Sequence, residues 1–362
     1  MKGRNMSSTD PYKKVRFEPF EEIDPYEKPE GMSAEEWARI ESGSPQNRKT
    51  AISLWLNMQE RERENRKGKK PEPPAKAKTP KTGYVARELV LLNLPYAKPA
   101  ADVWARRNGE LSLIVQGGYK IDKKTGKPVN IGVPYGATAR LVLFYIMSAA
   151  AYSESRKIYL GHSFDAFLQS IGASPERRGV KTGARAVLNQ LERLINASFK
   201  IQRSTETEDF NIERVKVLPL ISDSEIWFSK KNTEKAQQGL WNSYVEISEE
   251  LFKSLKKNPI PIDWEVVLKI RGNATALDFY ALLTYESAKA QAAGKGRFIP
   301  WASLQEQMGS QTESVKKFGA RGRAAVRLLQ KYYTGLKVSF PDGGLKIEAA
   351  SLPSVPPKNR LN

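Results

Sequence analysis

ESVKKFGARGRAAVRLLQKYY, residues 313–333, carries two stripes along a single helical period. At about 100° per residue, Val315, Phe318, Gly322, Val326, Leu329 and Tyr333 gather on one side. Lys316, Arg323, Arg327 and Lys331 gather on the far side, with Lys317 and Arg321 beside them, and the only acid in the stretch is Glu313. A helix patterned this way packs by one face and offers bases by the other. That is what a helix entering the major groove of duplex DNA requires, since Arg reads base edges bidentately and Lys holds phosphate. The small residues Gly319, Ala320, Gly322 and Ala324 allow close approach to DNA or to a neighbouring helix.

The flanking sequence frames this helix. Upstream, Asn273 to about Ala292 reads as a helix with apolar positions 277, 280, 281, 284 and 288. Arg297–Pro300 reads as a short strand, and Ala302–Met308 as a helix ended by Gly309. Downstream, strands at Leu336–Pro341 and Leu345–Ala349 flank Asp342-Gly343-Gly344, a hairpin signal. Helix, strand, helix, helix and hairpin make a winged helix, whose wing carries Lys346.

The same order occurs earlier in the chain. Thr138–Ser153 is an apolar helix, Lys157–Leu160 a strand, and Ser163–Ile171 a helix with apolar residues at 164, 167, 168 and 171. After a turn containing Pro175, the helix Val180–Ala197 is expected to be the groove-facing one. Its outward patch is Arg177, Arg178, Lys181 and Arg185, with Thr182 and Asn189 as hydrogen-bonding groups; a dimerisation surface is the alternative use of that face. Strands at Phe199–Arg203 and Val215–Leu220 then form the expected wing, whose Glu206, Glu208 and Asp209 should keep away from phosphate. Further strands are expected near Ile226–Phe228 and Tyr244–Ile247.

Composition agrees with a polyanion as partner. The 362 residues contain 59 Lys and Arg against 40 Asp and Glu, a formal net charge of +19, which points to nucleic acid or an anionic membrane. The longest apolar run, around residues 141–151, is too short to span a bilayer, which takes about 20 residues, and MKGRNMSSTD lacks a signal-peptide core. A cytoplasmic, membrane-free protein is expected. With no cysteine and one histidine, His162, thiolate chemistry, two-histidine metal sites and the paired histidines of nicking enzymes cannot be built in one chain. His162 itself reads as a surface or capping residue. Gly126-Lys127-Pro128 and Gly294-Lys295-Gly296 both miss the phosphate-loop pattern. The acid pairs Asp263/Glu265 and Glu249/Glu250 read as helix ends, and Tyr332-Tyr333 as partly core. No catalytic residue, metal or cofactor is expected.

The organisation expected is α+β: two tandem winged-helix domains (137–258 and 259–352), a small β-containing lead-in (84–136), a flexible, partly helical N-terminal arm (1–83) and a short tail (353–362). The arm is rich in Pro, Lys and Glu and ends in GKKPEPPAKAKTPKTG, a mixture too polar to offset its ordering entropy. Short helices at Ser33–Ile40 and Thr50–Lys67 are expected within it. The lead-in reads as strands at Leu111–Val115 and Val129–Val133 around the basic turn KKTGK (Lys123–Lys127).

Several blocks together resemble a known family. They are Gly132-Val133-Pro134-Tyr135-Gly136, Arg140-Leu141, Leu160-Gly161, Ser163-Phe164-Asp165-Ala166-Phe167 and Gly179 with Leu191-Glu192-Arg193-Leu194. Further along come PIPID (Pro259–Asp263), ALDFYALLTY (Ala276–Tyr285) and Ile299-Pro300-Trp301. Over roughly 105–350 the chain resembles the plasmid-encoded RepA-type replication initiators. The resemblance implies binding to repeated sites (iterons) at a plasmid origin, local melting, and recruitment of the host initiator and replicative helicase. It also implies repression of its own promoter and a monomer–dimer equilibrium; the family brings no catalytic residues. The readings set against it are a winged-helix transcriptional regulator without origin function, a nickase or primase, and an RNA-binding protein.

Overall fold

The computed structural model describes residues 24–45, 48–49, 51–52, 55–56, 81–91, 93–122, 124–161, 163–174, 183–206, 211–217, 219–226, 243–308 and 314–355. The chain divides into two compact units, Met1–Lys78 and Thr79–Asn362. In the first, helix α1 (Ala34–Glu41) starts as its sequence prescribes. The Ser33 hydroxyl accepts from the Glu36 amide and the Glu36 carboxylate accepts from the Ser33 amide, a reciprocal capping box. The helix expected over Thr50–Lys67 lies mostly outside the described residues.

The second unit opens with β1 (Thr82–Val85) and α2 (Arg87–Leu91), then β2 (Val103–Asn108), β3 (Leu111–Gln116), β4 (Gly118–Ile121) and β5 (Pro128–Gly132). Helix α3 (Gly136–Tyr152), β6 (Lys157–Tyr159), α4 (Phe164–Ser170) and α5 (Ala184–Asn196) follow. Next come β7 (Ser198–Glu206), β8 (Asn211–Val217), β9 (Ile221–Glu225) and β10 (Tyr244–Ile247). Helix α6 (Glu249–Lys257), β11 (Ile260–Asp263) and α7 (Trp264–Ile270) lead to α8 (Ala274–Ala293). The last part is β12 (Arg297–Pro300), α9 (Trp301–Gln307), α10 (Val315–Gln330), β13 (Val338–Ser339) and β14 (Gly344–Ile347). The protein is thus a mixture of helix and antiparallel sheet.

Two helices that are apolar around most of their circumference, α3 and α8, form its centre. Such helices are driven to the middle because no face suits water. The capping chemistry fixes α8 at both ends. Asn273 accepts from the Ala276 amide, and Gly294 ends the helix in a left-handed turn (φ +60°) that a side chain would resist. The lead-in is woven into this core. β1 pairs with β11, with Val85 opposite Ile260, and the Ser148 hydroxyl of α3 accepts from the Tyr84 amide.

With the inserted β7–β8 hairpin set aside, the order helix, strand, helix, helix, strand, strand occurs twice, as α3-β6-α4-α5-β9-β10 and α8-β12-α9-α10-β13-β14. In both copies the third strand lies between the other two, giving sheets β6-β10-β9 and β12-β14-β13. This corrects one expectation. The hairpin β7–β8, expected as the first wing, joins β3 and β2 in a separate four-stranded sheet, while β6 pairs with β10. The acids Glu208 and Asp209 and the Glu206 side chain lie outside the described residues, as does His162.

The remaining local readings have clear physical placements. Asp263 caps α7 through the Glu265 amide, and Ser248 caps α6 ahead of Glu249 and Glu250. Tyr333 is buried, whereas Tyr332 is exposed.

Candidate nucleic-acid interface

Helix α10 begins where the Ser314 hydroxyl accepts from the Lys317 amide. It buries Phe318, Gly319, Gly322, Ala325, Val326 and Leu329. Its close approach to α9 depends on glycine: a Cβ at Gly322 would lie 2.7 Å from the Trp301 ring and 3.1 Å from the Phe279 ring. Phe279, Trp301 and Phe318 meet edge-on or tilted, with ring centroids 6.3–6.4 Å apart. This aromatic block fixes the rotation of α10. The expected stripe holds except at its first residue: Val315, on the opening turn, is 43% exposed.

That rotation leaves Lys316, Lys317, Arg327 and Lys331 exposed. None of the four makes an ion pair among the described residues, whereas several bases elsewhere do. Lys120 pairs with Glu192, Arg156 with Glu246, Lys253 with Glu249, and Arg297 with Glu286. Lys316 and Lys317 also stand in the first helical turn, against the positive end of the helix dipole. That position costs about 0.3–1 kcal/mol per cation, and a bound anion would offset it.

The other two bases are turned partly inward. Arg323 lies over the Trp301 ring at 5.6 Å, and Arg321 lies 5.2 Å from the Tyr96 ring and 5.6 Å from that of Phe318. Arg321 therefore sits at the boundary of the core rather than on the open stripe. On the neighbouring hairpin, Lys346 is exposed but paired with Glu348 at 3.0 Å.

In the first copy, Arg185 and Asn189 are exposed on α5. Arg177, Arg178, Lys181 and Thr182 lie outside the described residues, and α5 starts at Ala184 instead of Val180. The outer face of α5 continues through Glu192 and Asn196, and there the β4–β5 hairpin packs against it. Lys120 bonds Glu192 at 2.5 Å, and a Cβ on Gly118 would collide with Asn196. The block Gly132–Gly136 is docked on the same helix. The Tyr135 amide donates to the Gln190 side chain at 2.9 Å, and Arg193 donates to the Val133 carbonyl at 3.2 Å.

Sequence reasoning missed this hairpin as part of the surface. KKTGK is visible as a basic turn, but nothing local indicates that the turn and its strands ride on α5. It missed Arg140 as well. That side chain is 2% exposed and bonds Asp278 twice at 2.7 Å. Burial alone would lower the guanidinium's pKa, and the Asp278 carboxylate more than reverses this. Arg106, buried nearby, is lowered to about 10 by desolvation. Among the described residues no three His, Asp or Glu side chains gather as a metal site, and no helix is long and apolar enough to cross a membrane.

No curated protein matches the chain. Two crystal structures of domains 2 and 3 of RctB are similar to it at 10% sequence identity. The selenomethionine derivative has a TM-score of 0.45, covering 73% of this chain and 95% of that one. The second has a TM-score of 0.42, covering 71% and 94%. Residues 133–302 match the family described as plasmid encoded RepA protein, which spans α3 to the start of α9. Over that stretch the chain carries the domain of the plasmid-encoded RepA replication initiators.

Proposed function

We propose that this initiator binds repeated duplex DNA sites at a plasmid origin through two winged-helix units, with α10 as the principal recognition helix. The observation that carries the reading is the outer face of α10. Four exposed cations there lack an ion-pair partner among the described residues, on a helix whose rotation is fixed by Trp301, Phe279 and Phe318. A groove-wide helix with a cationic face and no acid inside it fits the phosphate-lined major groove. Arg323 and Arg327 read bases, and Lys316, Lys317 and Lys331 hold backbone. Arg185 and Asn189 supply a second, smaller contact.

Two such contacts on successive major grooves correspond to a site of about 20 base pairs. Binding, rather than covalent chemistry, is the activity. Autorepression, a monomer–dimer equilibrium and recruitment of the host initiator and helicase complete the proposal, drawn from the family resemblance.

The test is fluorescence anisotropy on the DNA flanking the protein's own gene against scrambled duplex, at two salt concentrations. Three phosphate contacts from α10 alone give a log–log salt slope of ~−2.7, at about −0.9 per phosphate. Tight binding to the native DNA that survives higher salt, with protected direct repeats, supports the initiator reading. Protection of a single operator favours a transcriptional regulator. Equal, salt-erased binding to both DNAs would remove sequence recognition from α10.

A further inference from the structure

Among the described residues the β4–β5 hairpin pairs with no further strand, and it stands against the outer face of α5. Its turn is built by Asp122, whose carboxylate accepts from the Lys124 and Thr125 amides at 3.0 and 2.8 Å and from the Thr125 hydroxyl at 3.0 Å. Gly126 closes the turn at φ +66°, where its amide donates to the Asp122 carbonyl at 2.8 Å. Four local bonds hold the turn, and it leaves Lys124 and Lys127 exposed with no ion pair among the described residues. Lys120, further down the ribbon, neutralises Glu192, the only acid of α5. On the ribbon's far side Tyr119 and Ile121 are 54% and 62% exposed.

The placement bears on how DNA can meet the first copy. The ribbon stands against the C-terminal half of α5's outer face, at Glu192 and Asn196, so a duplex approaching that end of the helix also meets the ribbon. The major groove admits a two-stranded ribbon as well as it admits a helix. We infer that the β4–β5 ribbon, through Lys124 and Lys127 at its tip, is a DNA-contacting element of the first half of the protein, with its occupant a duplex phosphate backbone. Charge complementarity selects this occupant over a protein partner. The tip carries Lys124 and Lys127, with Lys123 beside them in sequence, against the single carboxylate of Asp122. The inference rests on the DNA-binding reading above and assigns to it an element that the two-helix scheme leaves out.

The experiment compares the full-length wild-type protein with Lys124→Ala/Lys127→Ala and Lys124→Glu/Lys127→Glu, on the same flanking DNA across a salt series. Both side chains are exposed and unpaired among the described residues, so unchanged circular dichroism and melting are expected. The alanine pair should make the log–log salt slope shallower by about 2, one phosphate per lysine. The glutamate pair should weaken binding at least tenfold. Because the chain has no cysteine, Lys124→Cys is also a unique attachment point for a tethered iron chelate, which should cut the bound DNA in one compact cluster. If wild type binds while both variants keep its affinity and slope, the ribbon inference is overturned and the DNA-binding reading stands. Unchanged DNA affinity together with an altered oligomeric mass overturns it too, making the ribbon a contact between protein copies. If wild type itself fails to bind, the underlying reading falls first.

Discussion

Arg140 and Asp278 occupy the same step of two different helices, the fifth residue of α3 and the fifth of α8, and they meet in the core. Arg140 Nε donates to Asp278 Oδ1 and Nη2 to Oδ2, each at 2.7 Å. The remaining donors reach the carbonyls of Gly136, Pro95 and Leu94. Equivalent points of the two copies are thus clamped face to face, and the loop between α2 and β2 is held by the same guanidinium. Tyr96 of that loop lies under Arg140 at 4.9 Å and also under Arg321 of α10 at 5.2 Å. The centre of the fold and α10 therefore share one polar cluster.

Breaking this pair on one side should be costly. Asp278→Asn leaves a buried guanidinium without its counter-charge, a change worth about 3–5 kcal/mol of stability. The double replacement Arg140→Met/Asp278→Leu removes both charges and should lose clearly less than the sum of the single changes. Urea unfolding of wild type, Arg140→Met, Asp278→Leu and the double variant measures the coupling. Strict additivity would show that the pair is not the clamp.

The cations of α10 should separate into two behaviours. Arg323→Ala with Arg327→Ala removes the base-reading pair and should cost about 1–3 kcal/mol for each base no longer read, seen as a collapse of the gap between native and scrambled DNA. Lys316→Ala should weaken binding to both DNAs alike and make the salt slope shallower by about 1. Loss of specificity in the lysine variant would reassign the two roles.

The features legible in the sequence are those set by local periodicity and capping. The strands Arg297–Pro300 and Tyr244–Ile247 fall where the sequence pattern places them, and Asn273 and Ser163 cap the helices they precede. The face of α10 is readable because hydrophobic and basic residues segregate at the helical period. Pairings between distant segments are not. Nothing near β7 indicates that it joins β3 some ninety residues earlier instead of β6. Arg140 reads as one more base, since its partner lies 138 residues away. Arg321 sits at the edge of its stripe, where about 40° of rotation decides between groove and core, and that rotation is set by Trp301.

Gly322→Ala tests the close approach that sets the rotation. The added methyl would meet Trp301 at 2.7 Å and Phe279 at 3.1 Å, both rigid rings in a packed block. Overpacking of this kind costs about 1–3 kcal/mol, outweighing the roughly 1 kcal/mol gained from alanine's helix propensity. The melting temperature should fall. A rise would mean that α9 yields freely and does not fix α10.

Three buried phenols should resist alkali. Burial raises Tyr96 well above the ordinary value, also raises Tyr280, and pushes Tyr333 up to about 12. A folded-state pKa above the unfolded one means that the stability held by these groups is complete below about pH 10 and is lost as pH rises toward the folded values. Absorbance at 295 nm should show their ionisation only alongside loss of circular dichroism. Ionisation near pH 10 in a still-folded protein would contradict their burial.

Arg321→Ala distinguishes the inward base from the open stripe. Its guanidinium packs on Tyr96 and Phe318, and a long side chain in that position contributes by covering apolar surface as well as by charge. Removing it exposes part of both rings and deprives Tyr96 of one of its two cations, so the expected effect is a lower melting temperature. The salt slope of DNA binding should stay within a few tenths of wild type, because the same phosphates remain neutralised. Arg327→Ala should do the reverse, keeping stability and losing affinity, since Arg327 is exposed and makes no ion pair among the described residues. Should Arg321→Ala instead flatten the slope by about 1 at unchanged stability, then Arg321 reaches phosphate in the complex, and the cluster around Tyr96 opens when DNA binds.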